Sequence, residues 1–316
     1  MASRSYAAKR RSSSHRMTRR SFRKSPIRRL SLRGHASRFK RSPRRSRMSK
    51  RTILHVTSKK KRDTMLPSTI VPPTETGIGA LPITIADGAT ILWQPTFRDL
   101  YVNPTDITAV IDPTPQRTAT TCFFRGIKET IEISTSDGTP WTWRRIMFSY
   151  KGLLIGDAYR DYASRQVEVG TGTNFFYYQR PNTSLPDTMA SALYRVIFKG
   201  LGLNTDSLTP VDWINRMTAP IDTTRINVLY DKTVNIRSGN ESGTQFNTQR
   251  WHPINKNIVY NDLETGGTIQ SSPNSTEGRP GIGDIYIVDM MSGSALGDDT
   301  GLMYFNPSST VYWHEK

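Results

Sequence analysis

RINVLYDKTVNIR, Arg225–Arg237, is the stretch on which the fold reading turns. Ile226, Val228, Tyr230, Val234 and Ile236 share one parity, while Arg225, Asn227, Asp231, Thr233, Asn235 and Arg237 share the other. Apolar residues at every second position have the period of a half-buried antiparallel strand, not of a helix. Shorter β-branched and aromatic runs extend that reading in both directions: Ala89–Phe97, Thr118–Thr135, Trp141–Lys151, Asn174–Gln179, Tyr194–Lys199, Asn257–Asn261, Asp284–Met291 and Gly301–Trp313. Turn residues separate them at Asp137-Gly138, Pro181-Asn182, Ser238–Gly243 and Gly266-Gly267. Many short strands without a long amphipathic helix predict an all-β sandwich or barrel. Short helices are expected at Thr209–Met217, with Thr209 as N-cap, Pro210 in the first position and Asp212 in the first turn, and at Asp187–Leu193. No internal repeat is present.

Upstream the composition changes. Residues 1–62 hold 24 of the 44 Lys and Arg residues and no Asp or Glu, so residues 63–316 hold 20 basic and 26 acidic residues. Self-repelling charge and few apolar residues predict a segment that does not order in isolation. A Pro/Thr/Gly-rich stretch follows it. The expected organisation is a basic arm at 1–62, a linker at 63–82 and a β-rich domain at 83–316.

Seventeen of the arm's cations are Arg and seven are Lys. Guanidinium forks meet phosphate oxygens in two-point contacts, whereas Lys acts as a point charge. Candidate nucleic-acid contacts are therefore Arg4, Lys9, Arg10, Arg11, Arg16, Arg19, Arg20, Arg23, Lys24, Arg28, Arg29, Arg33, Arg38, Lys40, Arg41, Arg44, Arg45, Arg47, Lys50 and Arg51. A flexible polycation binds by releasing condensed counterions, so binding is expected to ignore sequence and to fall steeply with salt. Tyr6, Phe22 and Phe39 are the arm's only Phe, Tyr or Trp residues, which leaves base stacking a minor part. Lys9-Arg10-Arg11, Arg44-Arg45 and Lys59-Lys60-Lys61-Arg62 also suit an acidic importin surface. Thirteen serines lie among these cations, Ser25 and Ser42 each before proline, and their phosphorylation would cancel arm charge locally.

Catalytic constellations are absent from the sequence. The five histidines, His15, His35, His55, His252 and His314, are scattered and form no metal-binding pair spacing. No Gly precedes Lys, so there is no P-loop, and no G-x-S-x-G elbow occurs. Acid pairs such as Asp157/Asp161 and Asp298-Asp299 read as surface residues. Neither an enzyme nor a cofactor is expected. Single Cys122 excludes an internal disulfide, and no apolar run approaches the ~20 residues of a membrane span. A cytosolic or nuclear setting is expected, which makes the sequons at Asn182, Asn240 and Asn274 chance matches. Trp141, Trp143, Trp213, Trp251 and Trp313 read as packing residues before base-stacking platforms. Trp251-His252-Pro253 reads as a strand edge or an interface element, because Pro cannot donate to a ladder.

KRTILHVTSKKKRDTMLP (Lys50–Pro67), after its Arg/Ser-rich start, resembles the arm-to-shell junction of genomovirus coat proteins. TAPIDTTRINVLYDKTVNIRSGNESG (Thr218–Gly243) and RWHPINKNIVYNDLETGG (Arg250–Gly267) resemble the same family, most tellingly at Tyr230–Thr233 and Trp251–Asn257. The likeness covers about a third of the chain. It implies a single jelly-roll domain, sixty copies of which close an icosahedral shell around circular single-stranded DNA. It also implies an inward-facing arm, assembly in the host nucleus and a place in the virion. Expected partners are single-stranded DNA, further copies of the chain and a host importin, with no membrane. The rival reading is a nuclear shuttle or movement protein that carries single-stranded DNA without enclosing it.

Overall fold

A computed structural model describes residues 48–69, 81–100, 115–152, 154, 156–168, 176–202, 211–293 and 301–316. Eight strands carry the architecture: β1 (Lys59–Met65), β2 (Gly88–Trp93), β3 (Thr121–Thr135), β4 (Trp141–Tyr150), β5 (Asn227–Ile236), β6 (Gln245–Val259), β7 (Asp284–Gly293) and β8 (Met303–Glu315). Hydrogen bonding orders them β1-β8-β3-β6 in one sheet and β2-β7-β4-β5 in the other, with every neighbouring pair antiparallel. Eight strands wound in this order into two facing sheets form a jelly roll. A short strand at Ile83–Ile85 adds to β8, and Phe176–Pro181 pairs with Arg165–Glu168 and, in parallel, with Pro67–Ser68.

The two sheets differ in what covers them. β4 and β7 are buried almost without interruption, as strands with both faces covered must be. Their outer cover is helix α2 (Asp187–Ile197), whose Met189, Ala190, Leu193, Tyr194 and Ile197 form one helical stripe. That stripe packs with Phe148, Tyr286, Val288 and Met290. By contrast β8 alternates strictly, odd residues buried and even residues half-buried or exposed. The sheet β1-β8-β3-β6 thus faces the core on one side only. Between the sheets lie Trp93, Phe124, Ile127, Met147, Ile287, Val311 and Trp313, all 1 % exposed or less.

Along β3 the phase of the alternation shifts at Gly126. Cys122 and Phe124 point inward before it, and Ile127, Glu129, Ile131 and Ile133 after it. Register shifts occur beside it on both neighbours, at Tyr312/Trp313 on β8 and Pro253/Lys256 on β6. A Cβ on residue 126 would meet the His252 carbonyl oxygen at 2.5 Å and the Trp251 indole at 2.6 Å. Only glycine lets β6 and its indole lie this close.

Several expectations are corrected. The compact unit runs Ser49–Lys316, so the domain does not begin at residue 83. Helix α1 (Lys50–Thr57) and β1 occupy residues assigned to arm and linker. Lys59–Arg62 looks like arm sequence, yet Lys61, Asp63 and Met65 alternate inward as a strand against β8. Tyr194–Lys199 is not a strand, because Tyr194 and Ile197 belong to the helical stripe of α2, and Phe198 makes only an isolated bridge. α2 begins at the expected Asp187 and runs one turn beyond the expected end. No helix occupies Val211–Met217, while Thr209 and Pro210 lie outside the described residues. Trp213 instead bridges to Gly202 and packs edge-on against Phe198 and Tyr194, and the Asp212 carboxylate accepts from Leu201 N–H at 2.7 Å. Of the strand expected at Asn257–Asn261, Asn257–Val259 form the end of the fifteen-residue β6, and Tyr260 makes only an isolated bridge to Ser275.

Trp313 concentrates the packing of the inter-sheet core. It stacks on Phe124 at 6.1 Å, lies under the Arg98 guanidinium at 4.6 Å and donates Nε1–H to Glu315 at 2.6 Å. Trp313→Ala is expected to lower stability by about 3–5 kcal/mol, read by denaturant unfolding at neutral pH.

Candidate nucleic-acid interface

Eighteen of the candidate phosphate contacts, Arg4 to Arg47, lie outside the described residues. Lys50 and Arg51 open α1, which the Ser49 hydroxyl caps by accepting the Thr52 N–H at 3.1 Å. Beyond it the basic cluster of β1 divides by face. Lys60 and Arg62 are exposed, whereas Lys61 is buried, 3.2 Å from Glu315 and donating to the Gln116 carbonyl at 2.6 Å. Lys61 therefore cannot meet an importin as part of a Lys59–Arg62 run while the domain is folded. The Glu315 carboxyl is held below its ordinary range: burial opposes ionisation, but the Thr118 and Trp313 hydrogen bonds and the Lys61 ammonium outweigh it.

Moving the boundary to residue 48/49 changes the charge balance. Residues 1–48 hold 18 Lys or Arg and no acid, which leaves 26 basic and 26 acidic residues in 49–316. The net charge of the chain, +18, equals that of its first 48 residues. The folded unit is neutral, not negative as the earlier boundary at residue 62 implies.

Inside the sandwich lies an ion network that nothing in the alternation announces. Glu129 comes from β3, Arg145 from β4, Asp289 from β7 and Arg180 from the short strand Phe176–Pro181; each is 1 % exposed or less. Arg145 donates to Asp289 through Nε at 2.7 Å and Nη2 at 2.8 Å, and through Nη1 to Glu129. Arg180 donates to Asp289 at 2.8 Å, to Ser309 Oγ of β8 at 2.9 Å and to Glu129. Trp143 Nε1–H completes Asp289 at 2.8 Å, and His252 of β6 stands 3.5 Å from Glu129. Burial disfavours the charged Glu129, yet the two guanidiniums more than offset it and hold the carboxyl far below its ordinary range. Two arginines and two carboxylates balance, and the network ties both sheets together.

Further pairs lock the loops at one end of the sandwich. Arg117 donates to Asp262 and stacks 4.0 Å over Tyr260, and Arg98 donates to Asp63 at 2.8 Å. None of these buried pairs opens to solvent, so they read as structure, not chemistry. Among the described residues no three His, Cys, Asp or Glu side chains are grouped to hold a metal, and no helix is long and apolar enough to cross a membrane. The Cys122 thiol is buried, and burial pushes it up to about 12. The Asn182 side chain is buried and donates to the Phe305 carbonyl at 3.0 Å, out of reach of a glycan-transferring enzyme. Of the five tryptophans read as packing residues, Trp141, Trp143, Trp213 and Trp313 are buried and Trp251 is not. Trp251-His252-Pro253 lies on β6, the edge strand of its sheet, at the bulge.

No family model matches the chain, and no curated protein does. Among solved structures it is similar to an unassembled VP1 pentamer of Washington University polyomavirus, in a variant form. The identity is 8 %, over 82 % of this chain and 76 % of that one, with a TM-score of 0.08. A likeness that weak carries no argument; the jelly roll rests on the strand order itself.

Arg180→Met leaves Glu129 and Asp289 buried with one guanidinium between them, and is expected to cost about 3–5 kcal/mol. Because the folded Glu129 lies below its unfolded value of 4.5, its contribution is complete above that value and is lost as pH falls below it. Unfolding curves at successive pH values are expected to show stability falling through the acid range, and less steeply in Glu129→Gln.

Proposed function

We propose that this chain is the coat protein of a small single-stranded DNA virus, a structural protein without enzymatic activity. The observation that carries the reading is the separation of charge: all of the net +18 precedes a neutral jelly roll. Eighteen uncompensated cations in 48 residues suit a polyphosphate of any sequence, because counterion release is indifferent to bases. A neutral body suits a different task. It has no net repulsion between copies, so modest lateral contacts can add up in a closed symmetric shell.

Exposed apolar residues on the body fit such contacts. Leu201, Val211 and Ile214 lie in the β4–β5 connection, and Leu263 and Ile269 in the β6–β7 connection. Both connections leave the same end of the sandwich, where Tyr150 pairs with Asp284. In this reading arms gather on the genome and bring bodies together until these contacts close an icosahedral shell of sixty copies. Arm residues Lys9-Arg10-Arg11 and Arg44-Arg45 remain the import candidates for assembly in the host nucleus.

The test compares the full chain with residues 49–316, which keep α1 and β1. The truncated protein is expected to remain folded, to lose about 100-fold or more in affinity for single-stranded DNA at low salt, and to show a much flatter log–log salt dependence. Electron microscopy of the full chain with circular single-stranded DNA is expected to show closed, uniform particles. Unchanged affinity after truncation removes the arm's role; open complexes without particles point to a carrier instead of a coat.

A further inference from the structure

On the outward face of the sheet β1-β8-β3-β6, α1 reaches one end, where its His55 ring lies 6.4 Å from that of His314 and its His55 carbonyl accepts from Lys60 at 2.7 Å; the composition of the face is unlike that of a merely solvated surface. Cross-strand register lines up its outward residues in rows. Lys60 of β1, His314 of β8 and Phe123 of β3 form one. Arg62, Tyr312 and Gly126 form the next, with Pro253 of β6 beyond. Thr64, Thr310, Lys128 and Trp251 form the third. Arg125 is exposed beside Gly126. On these strands the carboxylates of Asp63, Glu129 and Glu315 point into the core, while Glu132, farther along the outward face of β3, accepts from Gln245 at 2.6 Å and from Asn306 at 3.4 Å. Among the described residues no carboxylate is within ion-pair distance of Lys60, Arg62, Arg125 or Lys128.

Trp251 stands out within this field. It is 49 % exposed, whereas the other five tryptophans of the chain are 7 % exposed or less. Its indole lies over Gly126, where any side chain would collide, and beside the Tyr312 ring at 5.8 Å. The backbone has thus been cleared to seat a large ring on the surface. Phe123 and His314 make a second ring pair at 6.1 Å one register step away.

We propose that this face is a second nucleic-acid contact, a stacking platform for unpaired bases centred on Trp251 and Tyr312. Lys60, Arg62, Arg125 and Lys128 take the flanking phosphates. The proposal rests on the reading of the protein as a nucleic-acid binder, but not on the arm. Aromatic rings accept the π-face of any base, so the platform needs no sequence, yet it requires bases freed from a duplex. It would therefore supply what counterion release cannot: preference for single over double strands. An acidic protein surface would use the cations but would leave the exposed indole without a partner. A second copy would bring the same four cations against themselves.

The test uses the full chain at high salt, where the arm's counterion-driven binding is suppressed and stacking persists. With five tryptophans buried, quenching of tryptophan emission reports on Trp251. Oligothymidylate is expected to quench part of the emission and a duplex of equal length to leave it unchanged. Trp251→Ala is expected to lower affinity for a labelled oligothymidylate by about fivefold or more, with duplex affinity unaltered. Trp251→Phe, which keeps a ring, abolishes the quenching and weakens binding less than Trp251→Ala, and it serves if the alanine variant does not fold. No quenching by oligothymidylate, or equal losses for single and double strands, overturns the proposal. So does an indole shielded from acrylamide in assembled protein without DNA, which would assign the face to a second copy. If the platform fails while deletion of residues 1–48 still removes low-salt binding, the arm reading stands alone; the converse result leaves the platform and removes the arm.

Discussion

The two sheets of this sandwich are joined at their centre by charge as well as by apolar packing. Glu129, Arg145, Arg180 and Asp289 sit where solvent does not reach, and each would be strongly unfavourable there without the others. Together with Ser309 and His252 they involve β3, β4, β6, β7, β8 and the short strand Phe176–Pro181. A hydrophobic core tolerates a strand slipping by two residues, since the same face stays inward. This network does not, because a carboxylate displaced by one pleat loses its fork. Register across the sandwich is thus pinned at the one place where both sheets can be read together.

From that fixed core follows a division between the two outer faces. One sheet is covered by α2 and reads as continuous apolar sequence; the other keeps strict alternation and meets solvent. The charge of the chain is divided as sharply, with cations ahead of Ser49 and a neutral body after it.

Much of this was legible before any coordinates. The alternation at Arg225–Arg237 marks β5 within two residues at each end, because its two parities differ in polarity except at Leu229, where the register with β4 shifts, and at Lys232. The first strand was hidden, since Lys59-Lys60-Lys61 continues an arm-like composition and only the pairing with β8 shows that Lys61 is inside. Most of β6 was hidden too: its exposed Gln245, Asn247 and Gln249 make an edge strand look like a loop. Arg145 and Arg180 look like surface residues in any composition count, because burial of an arginine depends on carboxylates far away in the chain. Trp251 could not be told from its buried counterparts, as exposure is a property of the bulge at Pro253 and of Gly126 beneath it.

The pairing of β1 with β8 sets an order of events during synthesis. Among the described residues β1 has β8 as its only long neighbour, so Lys59 must wait for Glu315, 256 residues later, before its ladder can form. Contacts of such sequence separation form slowly. Until β8 leaves the ribosome, β1 lacks its partner, β3 lacks one flank, and the sheet stands open at its middle. A product that stops before Met303–Glu315 cannot close the sheet β1-β8-β3-β6 at all.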